Sequence, residues 1–444
     1  MRRFTRFRSL LLLAVGALTL QVTLIGCFTA TAQPAPSTIG GSLATTSGIT
    51  ATPKSDGAVV TWTAASGAAA YKVYRRTGTS AAVVVNTVPV TGTRLFDAGL
   101  TAGTSYTYSV AAVSSSGAES PLPGSVTVRA ADPLASYAGA IARECPAATK
   151  RVSTAEQLRT ALAGARAGEV IWLQPGVYRG KFKLERSGTT TSPIWLCGTE
   201  DSVLETGSIS DGSALVLDKA SNVGLSGFAV RNSLQGVMVK FSSNVTIARL
   251  TVTDIGYEGI HVYALSSNAV IRDNTIRNTG VVDVAYGEGI YIGTSNRRWD
   301  VVTSGQPDTT RRVVVLRNTI VNAGAEPIEA KEGTSDGVIE GNVITGHQTA
   351  SRAIGWVLVT GNSWLIRDNT GSDAVTNAYA LMKNGTQWGL DNSVVDNSGE
   401  AGSAAGWGVL VHHPGSPVPA GTVVGCDNRV SGTASGVTHV PCQN

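Results

Sequence analysis

The chain has 444 residues, of which 42% are hydrophobic, only 15% are charged, and 51 are glycine. That apolar share excludes a charge-rich disordered polymer, and the length points to two or three domains. The formal charge of +4 disappears once the first 32 residues are set aside: Arg2, Arg3, Arg6 and Arg8 are four of the 35 basic residues, which leaves 31 facing 31 acidic ones. A neutral mature chain excludes attachment to nucleic acid by bulk positive charge.

An arginine-bearing start, an apolar run from Leu10 to Ile25 and then small residues form the layout of a secretory signal peptide. The run is shorter than the roughly 20 residues of a spanning helix. Two cleavage points compete. Leu24-Ile25-Gly26-Cys27 resembles the lipobox of bacterial lipoproteins, which would leave Cys27 lipidated at the mature terminus, whereas Ala30-Thr31-Ala32 fits an ordinary small-x-small site. Both lead to export, either free or lipid-anchored on the outer face of a bacterial cell membrane. The remaining Cys145, Cys197, Cys426 and Cys442 are an even set in an oxidising compartment. Four cysteines allow three pairings; neighbourhood favours Cys145 with Cys197 and Cys426 with Cys442, the latter closing a loop of about 16 residues worth roughly 3 kcal/mol. A zinc site is the rival, against which no CxxC pair occurs.

Residues 28–45 are small and polar and read as a tether. From 46 to 131, short alternating runs such as Ala58–Trp62, Tyr71–Arg75 and Tyr106–Val113, separated by glycine turns, predict a small β-sandwich. It resembles a fibronectin type III module: Trp62 on the second strand, the Tyr71-Lys72-Val73-Tyr74 strand, and Leu100 six residues before Tyr106. Such a module implies a spacer without chemistry of its own. A linker follows at 132–143. Ser153-Thr-Ala-Glu156 then reads as a capping box ahead of an amphipathic helix over 153–165.

Residues 144–444 carry a repeat. Asn274, Asn318, Asn342, Asn369 and Asn392 recur at steps of 44, 24, 27 and 23, the first lengthened by an inserted loop near 294–312. Alternating triplets recur as well: Ile260–Val262, Ile290–Ile292, Ile328–Ala330, Val357–Val359, Tyr379–Leu381 and Val409–Val411. Period two turns the outer members of each triplet inward and the middle one outward. Units this short cannot bury an apolar face alone, so they stack as coils. The prediction is an all-β chain with a right-handed parallel β-helix, its first coil covered by the helix at 153–165 and its asparagines forming a ladder. A leucine-rich repeat would need a Leu-x-x-Leu-x-Leu pattern, which does not recur.

Three successive units open on glutamate: Glu258, Glu288 and Glu326. Stacked about 4.8 Å apart, they call for a cation, a proton or a basic neighbour, and an all-oxygen set favours calcium over zinc. Alternation places Glu329 and Lys331 on the outer face with His261, Tyr263 and Tyr291, one wall carrying a lysine, carboxylates and aromatic rings. The inserted loop adds Arg297, Arg298, Trp299 and Arg311, suited to pairing with sugar carboxylates or sulfates and to stacking on a pyranose ring. His412 and His413 end a later strand and read as peripheral.

The β-helix part resembles secreted polysaccharide lyases of the chondroitinase B and alginate lyase type. The likeness lies in the entry segment, a helix followed by Gly168–Tyr178 and Ser192–Leu196, and in Glu326-Pro-Ile-Glu-Ala-Lys331, which fits that family's Glu-x-Ile-x-x-Lys motif. The resemblance implies calcium-assisted β-elimination on a uronate-containing extracellular polysaccharide, with Glu326 and Glu288 as metal ligands and Lys331 as the base. The family's arginine sits in a Leu-Arg-His-Gly segment, where this chain has Val357-Leu-Val-Thr360-Gly; Arg352 is the arginine nearby in sequence. Two other readings stand beside it: a glycosidase using paired carboxylates, and a non-catalytic carbohydrate-binding or adhesive β-helix. A monomer is expected.

Overall fold

Backbone hydrogen bonding between successive copies of the repeat governs the architecture. A computed structural model describes residues 43–54, 57–86, 88–347, 353–374, 376–402 and 406–442. The expected signal peptide, Cys27 and the tether up to residue 42 lie outside the described residues, as does Arg352. From Val170 onward each coil contributes one strand to each of three parallel faces. The first face has 11 strands, from Lys150–Val152 to Val423–Val424; the second has 10, from Gly176–Arg179 to Arg429–Ser431; the third has 10, from Phe182–Leu184 to Gly436–Thr438. The result is a right-handed parallel β-helix.

The triplets stack in register on the third face, with Ile260, Ile290, Ile328, Val357, Tyr379 and Val409 one above another. None is more than 1% exposed. Each such aliphatic side chain contributes about 1.5–3 kcal/mol on burial, and a slip of one residue would turn the whole row outward. Register is therefore fixed on this face.

The asparagine ladder exists, but with different members. Asn274, Asn318, Asn342, Asn369 and Asn397 each donate from Nδ2 to the Oδ1 of the next rung at 2.8–3.1 Å, and the ladder ends on Asn428, whose Nδ2 donates to Val394 O and Gly425 O. Asn392 is not a rung: its Oδ1 accepts from Trp364 N and its Nδ2 donates to Gly361 O. The sequence carries Asp-Asn-Ser twice, at 391–393 and 396–398, and only the second stands after its first-face strand, Ser393–Val395, as the other rungs do.

The helix Ala155–Ala163 covers the first coil with Leu158 and Leu162 in the core. Its cap is shifted by one from the expected box: Thr154 Oγ1 accepts from Gln157 N, and Gln157 Oε1 accepts from Ser153 N. Glu156 instead pairs with Arg159. Both favoured disulfides are formed, Cys145 with Cys197 and Cys426 with Cys442.

The amino-terminal β-sandwich has a three-stranded and a four-stranded antiparallel sheet enclosing Trp62, Tyr71, Val73 and Tyr108. Leu100 and Tyr106 are buried, and the Tyr106 hydroxyl accepts from Thr101 N at 3.0 Å. Between the two modules, Ala135–Tyr137 and Ala138–Ala142 form two short helical turns. Tyr137, with Leu134 and Ile141, lies on the outward residues Val270, Val314, Val338 and Leu365 of the first face. That face is apolar on both sides because the core covers one and this strap the other. Val59 and Phe96 of the sandwich pack on Val423, and Arg94 pairs with Asp391.

Replacing Asn342 by leucine removes the acceptor for Asn318 N and Asn318 Nδ2 and the donor to Val315 O. These groups are buried, so urea unfolding followed by circular dichroism should show a loss of about 3 kcal/mol. A loss under about 1 kcal/mol would mean the ladder contributes little.

Candidate active site

Glu288 and Glu326 precede their third-face strands, while Glu329 is the outward member of Ile328–Ala330. Coils close tightly here. A Cβ on Gly289, the residue after Glu288, would lie 2.7 Å from Pro327 O, so only glycine lets the neighbouring coil come this near. The carboxylates of Glu288, Glu326 and Glu329 thereby have oxygens within 4.8 Å of one another, all three side chains buried. Two full charges at that distance repel by about 3.5 kcal/mol at an effective dielectric near 20.

The site answers that repulsion in part. Lys331 Nζ bonds Glu329 Oε1 at 2.7 Å, and Glu326 Oε1 accepts from Ile354 N at 2.8 Å. Glu288 Oε2 is buried with no hydrogen-bond partner. Burial, followed by the charges of Glu329 and Glu258, pushes the Glu288 carboxyl well above the usual range. Burial and then Glu329 raise Glu326 to about 7. Burial draws the Lys331 pKa down, but Glu329, Glu332 and Glu326 outweigh it and hold the ammonium above its ordinary value.

The triad opens on a cleft of about 780 Å³ lined by Glu288, Glu326, Glu329 and Lys331, and also by Arg297 and Lys383. Glu332 also lines it but is tied to the scaffold, accepting from Asn296 N at 2.7 Å and from Thr360 Oγ1 at 3.2 Å.

Several expected site residues stand elsewhere. Glu258, expected as a ligand, accepts from Gln235 Nε2 at 3.0 Å and lies 4.0 Å from His261 Nδ1, outside the triad. Glu329 takes its place, because the outward middle residue of a triplet reaches the same trough as the residue opening the strand. The Tyr263 ring stacks on His261 and the Tyr291 ring lies tilted against it, with centroids 4.1 and 4.3 Å from His261, and none of the three lines the cleft. His261 Nε2 is fixed by Gly293 O at 2.8 Å, and burial lowers its pKa, so the ring is neutral. Of the four inserted-loop residues expected to bind substrate, Arg297 lines the cleft, beside Ser295 and Asn296 of the same loop. Trp299 donates to Thr294 O and meets Trp388 edge-on at 6.3 Å. Arg298 is exposed, and Arg311 belongs to a turn row with Ser267 and Ser335. Lys383 and Trp388 had no motif to announce them; the signal was positional, a coil-end lysine and a tryptophan in the Met382–Leu390 turn.

Comparison with known proteins places this architecture. The family model described as "Periplasmic copper-binding protein (NosD)" matches residues 177–399, half of the chain. The protein belongs to this family. An alginate lyase from Paenibacillus sp. str. FPU-7 is 28% identical, covering 67% of this chain and 97% of its own, with a TM-score of 0.53. An Fn3-like protein from Clostridium thermocellum is 30% identical over 20% of this chain and 93% of its own, TM-score 0.18. A family 28 exopolygalacturonase from Yersinia enterocolitica is 10% identical over 90% and 88%, TM-score 0.41. No curated protein matches the sequence.

The copper in the family's description does not fit the donors present. Copper favours imidazole, thiolate and thioether ligands. Among the described residues the clustered donors are three carboxylates, and all four cysteines are in disulfides. Three carboxylates suit a hard cation such as calcium.

A raised carboxyl pKa stabilises the fold at low pH. For Glu326 the contribution is fully present below about 4.5, the ordinary value, and is lost as pH rises through about 7. In thermal unfolding with chelator, Glu326→Gln should therefore be more stable than the parent at pH 8, by up to about 3 kcal/mol, and match it near pH 4. Equal midpoints at both pH values would remove the electrostatic strain inferred here.

Proposed function

We propose that the protein cleaves a uronate-containing extracellular polysaccharide by β-elimination, with Lys331 as the base and calcium as the cofactor, held by Glu288, Glu326 and Glu329. The observation that supports this most is the position of Lys331, an ammonium 2.7 Å from one member of a buried carboxylate triad and on the wall of an open cleft. The 28% identity to an alginate lyase along nearly all of that protein's length supports the same reading. The paired cysteines fit an exported protein, and we assign it to the cell exterior, free or anchored through Cys27.

β-Elimination needs the proton beside the uronate carboxylate made acidic and an uncharged amine to receive it. Calcium, when bound, neutralises that carboxylate. With the triad's charge balanced, the upward influence of Glu329 and Glu326 on the Lys331 pKa is relieved, Glu332 alone still acts upward, and burial acts downward. Lys331 Nζ then takes the proton. The electron pair left on carbon forms the new double bond as the glycosidic carbon–oxygen bond beyond it breaks, and the departing oxygen takes up a proton from the solvent of the open cleft. Glu332, held by Asn296 and Thr360, fixes the inserted loop beside it. A glycosidase would use Glu326 as its acid, with a second carboxylate about 5–9.5 Å away; the triad is packed more tightly, and Lys331 would have no task.

Incubation with a panel of polyuronates, with calcium or with chelator, should yield unsaturated ends that absorb in the ultraviolet only when calcium is present. Lys331→Ala should lower kcat about 10³-fold while leaving the circular dichroism unchanged. Reducing ends without the ultraviolet signal would make the protein a hydrolase, and neither product would make it a binder.

A further inference from the structure

The cleft separates its charges. Its acidic triad lies on the coil of Glu326–Lys331 and the coil before it, while Arg297 and Lys383, which also line it, form no ion pair among the described residues. Of the nine lysines among the described residues, seven are in ion pairs. The two without one are Lys219, on an exposed corner, and Lys383, half-buried in the cleft wall. Leaving an ammonium unpaired in a partly desolvated cleft is unfavourable unless something else meets it.

Register fixes where Lys383 stands. Lys331 N, Thr360 N, Met382 N and His412 N each bond the strand of the coil before, so Lys331, Thr360, Met382 and His412 form one column, with Glu332 and Lys383 in the column beside it. Lys383 is thus two coils past Glu332, about 9.6 Å at about 4.8 Å per coil. One coil's rise is close to the length of one pyranose ring along a polymer. Thr360, on the coil between, contributes only a hydroxyl already bonded to Ala330 O and Glu332. On the far side of Lys383, His412 Nδ1 is buried without a partner and its ring lies 4.6 Å from His413.

Resting on the uronate reading above, we propose that Lys383, with Arg297 of the same cleft, forms a substrate-binding site for a second anionic group of the polymer, the carboxylate of a sugar further along the chain than the one at the triad. A polymer bearing a charge on each ring meets the triad's side with one carboxylate and the Lys383 side with another. A neutral polymer has nothing for either cation, so this pair adds to the preference for charged chains that begins at the triad. Both side chains come from segments that the coils leave free to vary: the inserted loop and the turn after Tyr379–Leu381.

The test is calorimetric binding and steady-state kinetics on the full chain with uronate oligosaccharides and with the same oligosaccharides reduced to neutral sugars. Lys383→Met should weaken binding of the charged oligosaccharide, or raise KM, about tenfold, leave kcat within about twofold, and leave any binding of the neutral one unchanged; Lys383→Arg should restore the parent value. Unchanged affinity in Lys383→Met, in a parent protein that binds or cleaves polyuronates, overturns this site and leaves the lyase reading standing. Equal losses on charged and neutral oligosaccharides overturn anion recognition by showing a structural effect. A parent protein that prefers no charged oligosaccharide overturns the lyase reading itself.

Discussion

In-register parallel pairing of one coil on the next is the constraint from which the rest follows. It sets the distance between equivalent side chains and leaves little freedom to change it, since the apolar triplets of the third face would be turned to solvent by any slip. Groups that repel are held together by this spacing as firmly as groups that attract. The carboxylates of Glu288, Glu326 and Glu329 are neighbours because their backbones are neighbours, and the fold bears their repulsion through the hydrogen bonds of the surrounding sheet.

Such a site is strained by design of the scaffold, and its balance depends on what is bound there. A proton on Glu288 or Glu326, the ammonium of Lys331 and a divalent cation are three ways of meeting the same excess of negative charge. They exclude one another to a degree, which couples the protonation of the lysine to the occupancy of the carboxylates. A lysine on a solvated surface would have no such coupling, because water screens it.

The architecture was legible because its signal is periodic: inward and outward positions of six triplets followed from alternation alone, and the disulfide pairs from proximity in sequence. The ladder was legible except where Asp-Asn-Ser occurs twice within eight residues, at 391–393 and 396–398, and only tertiary phase tells the copies apart. The site was legible in part. Glu288, Glu326 and Lys331 were marked by recurrence and motif, but Glu258 repeats the same signal and is captured by Gln235. Lys383 was not marked at all, because its neighbourhood is made by register between coils over 50 residues apart. The aromatic residues His261, Tyr263 and Tyr291 were placed on the right face, and what the sequence did not show is that both tyrosine rings pack against His261.

The asparagine rungs on either side of the inserted loop are joined as closely as those with no insertion between them. Asn274 and Asn318 are 44 residues apart and bonded at 2.8 Å; Asn318 and Asn342 are 24 apart and bonded at 3.0 Å. The bond takes no account of how much chain is threaded between its ends. Evolution can therefore lengthen, shorten or exchange the corner segments of this scaffold as one changes the tools on a fixed rail, and new specificities can arise without the core having to be reinvented.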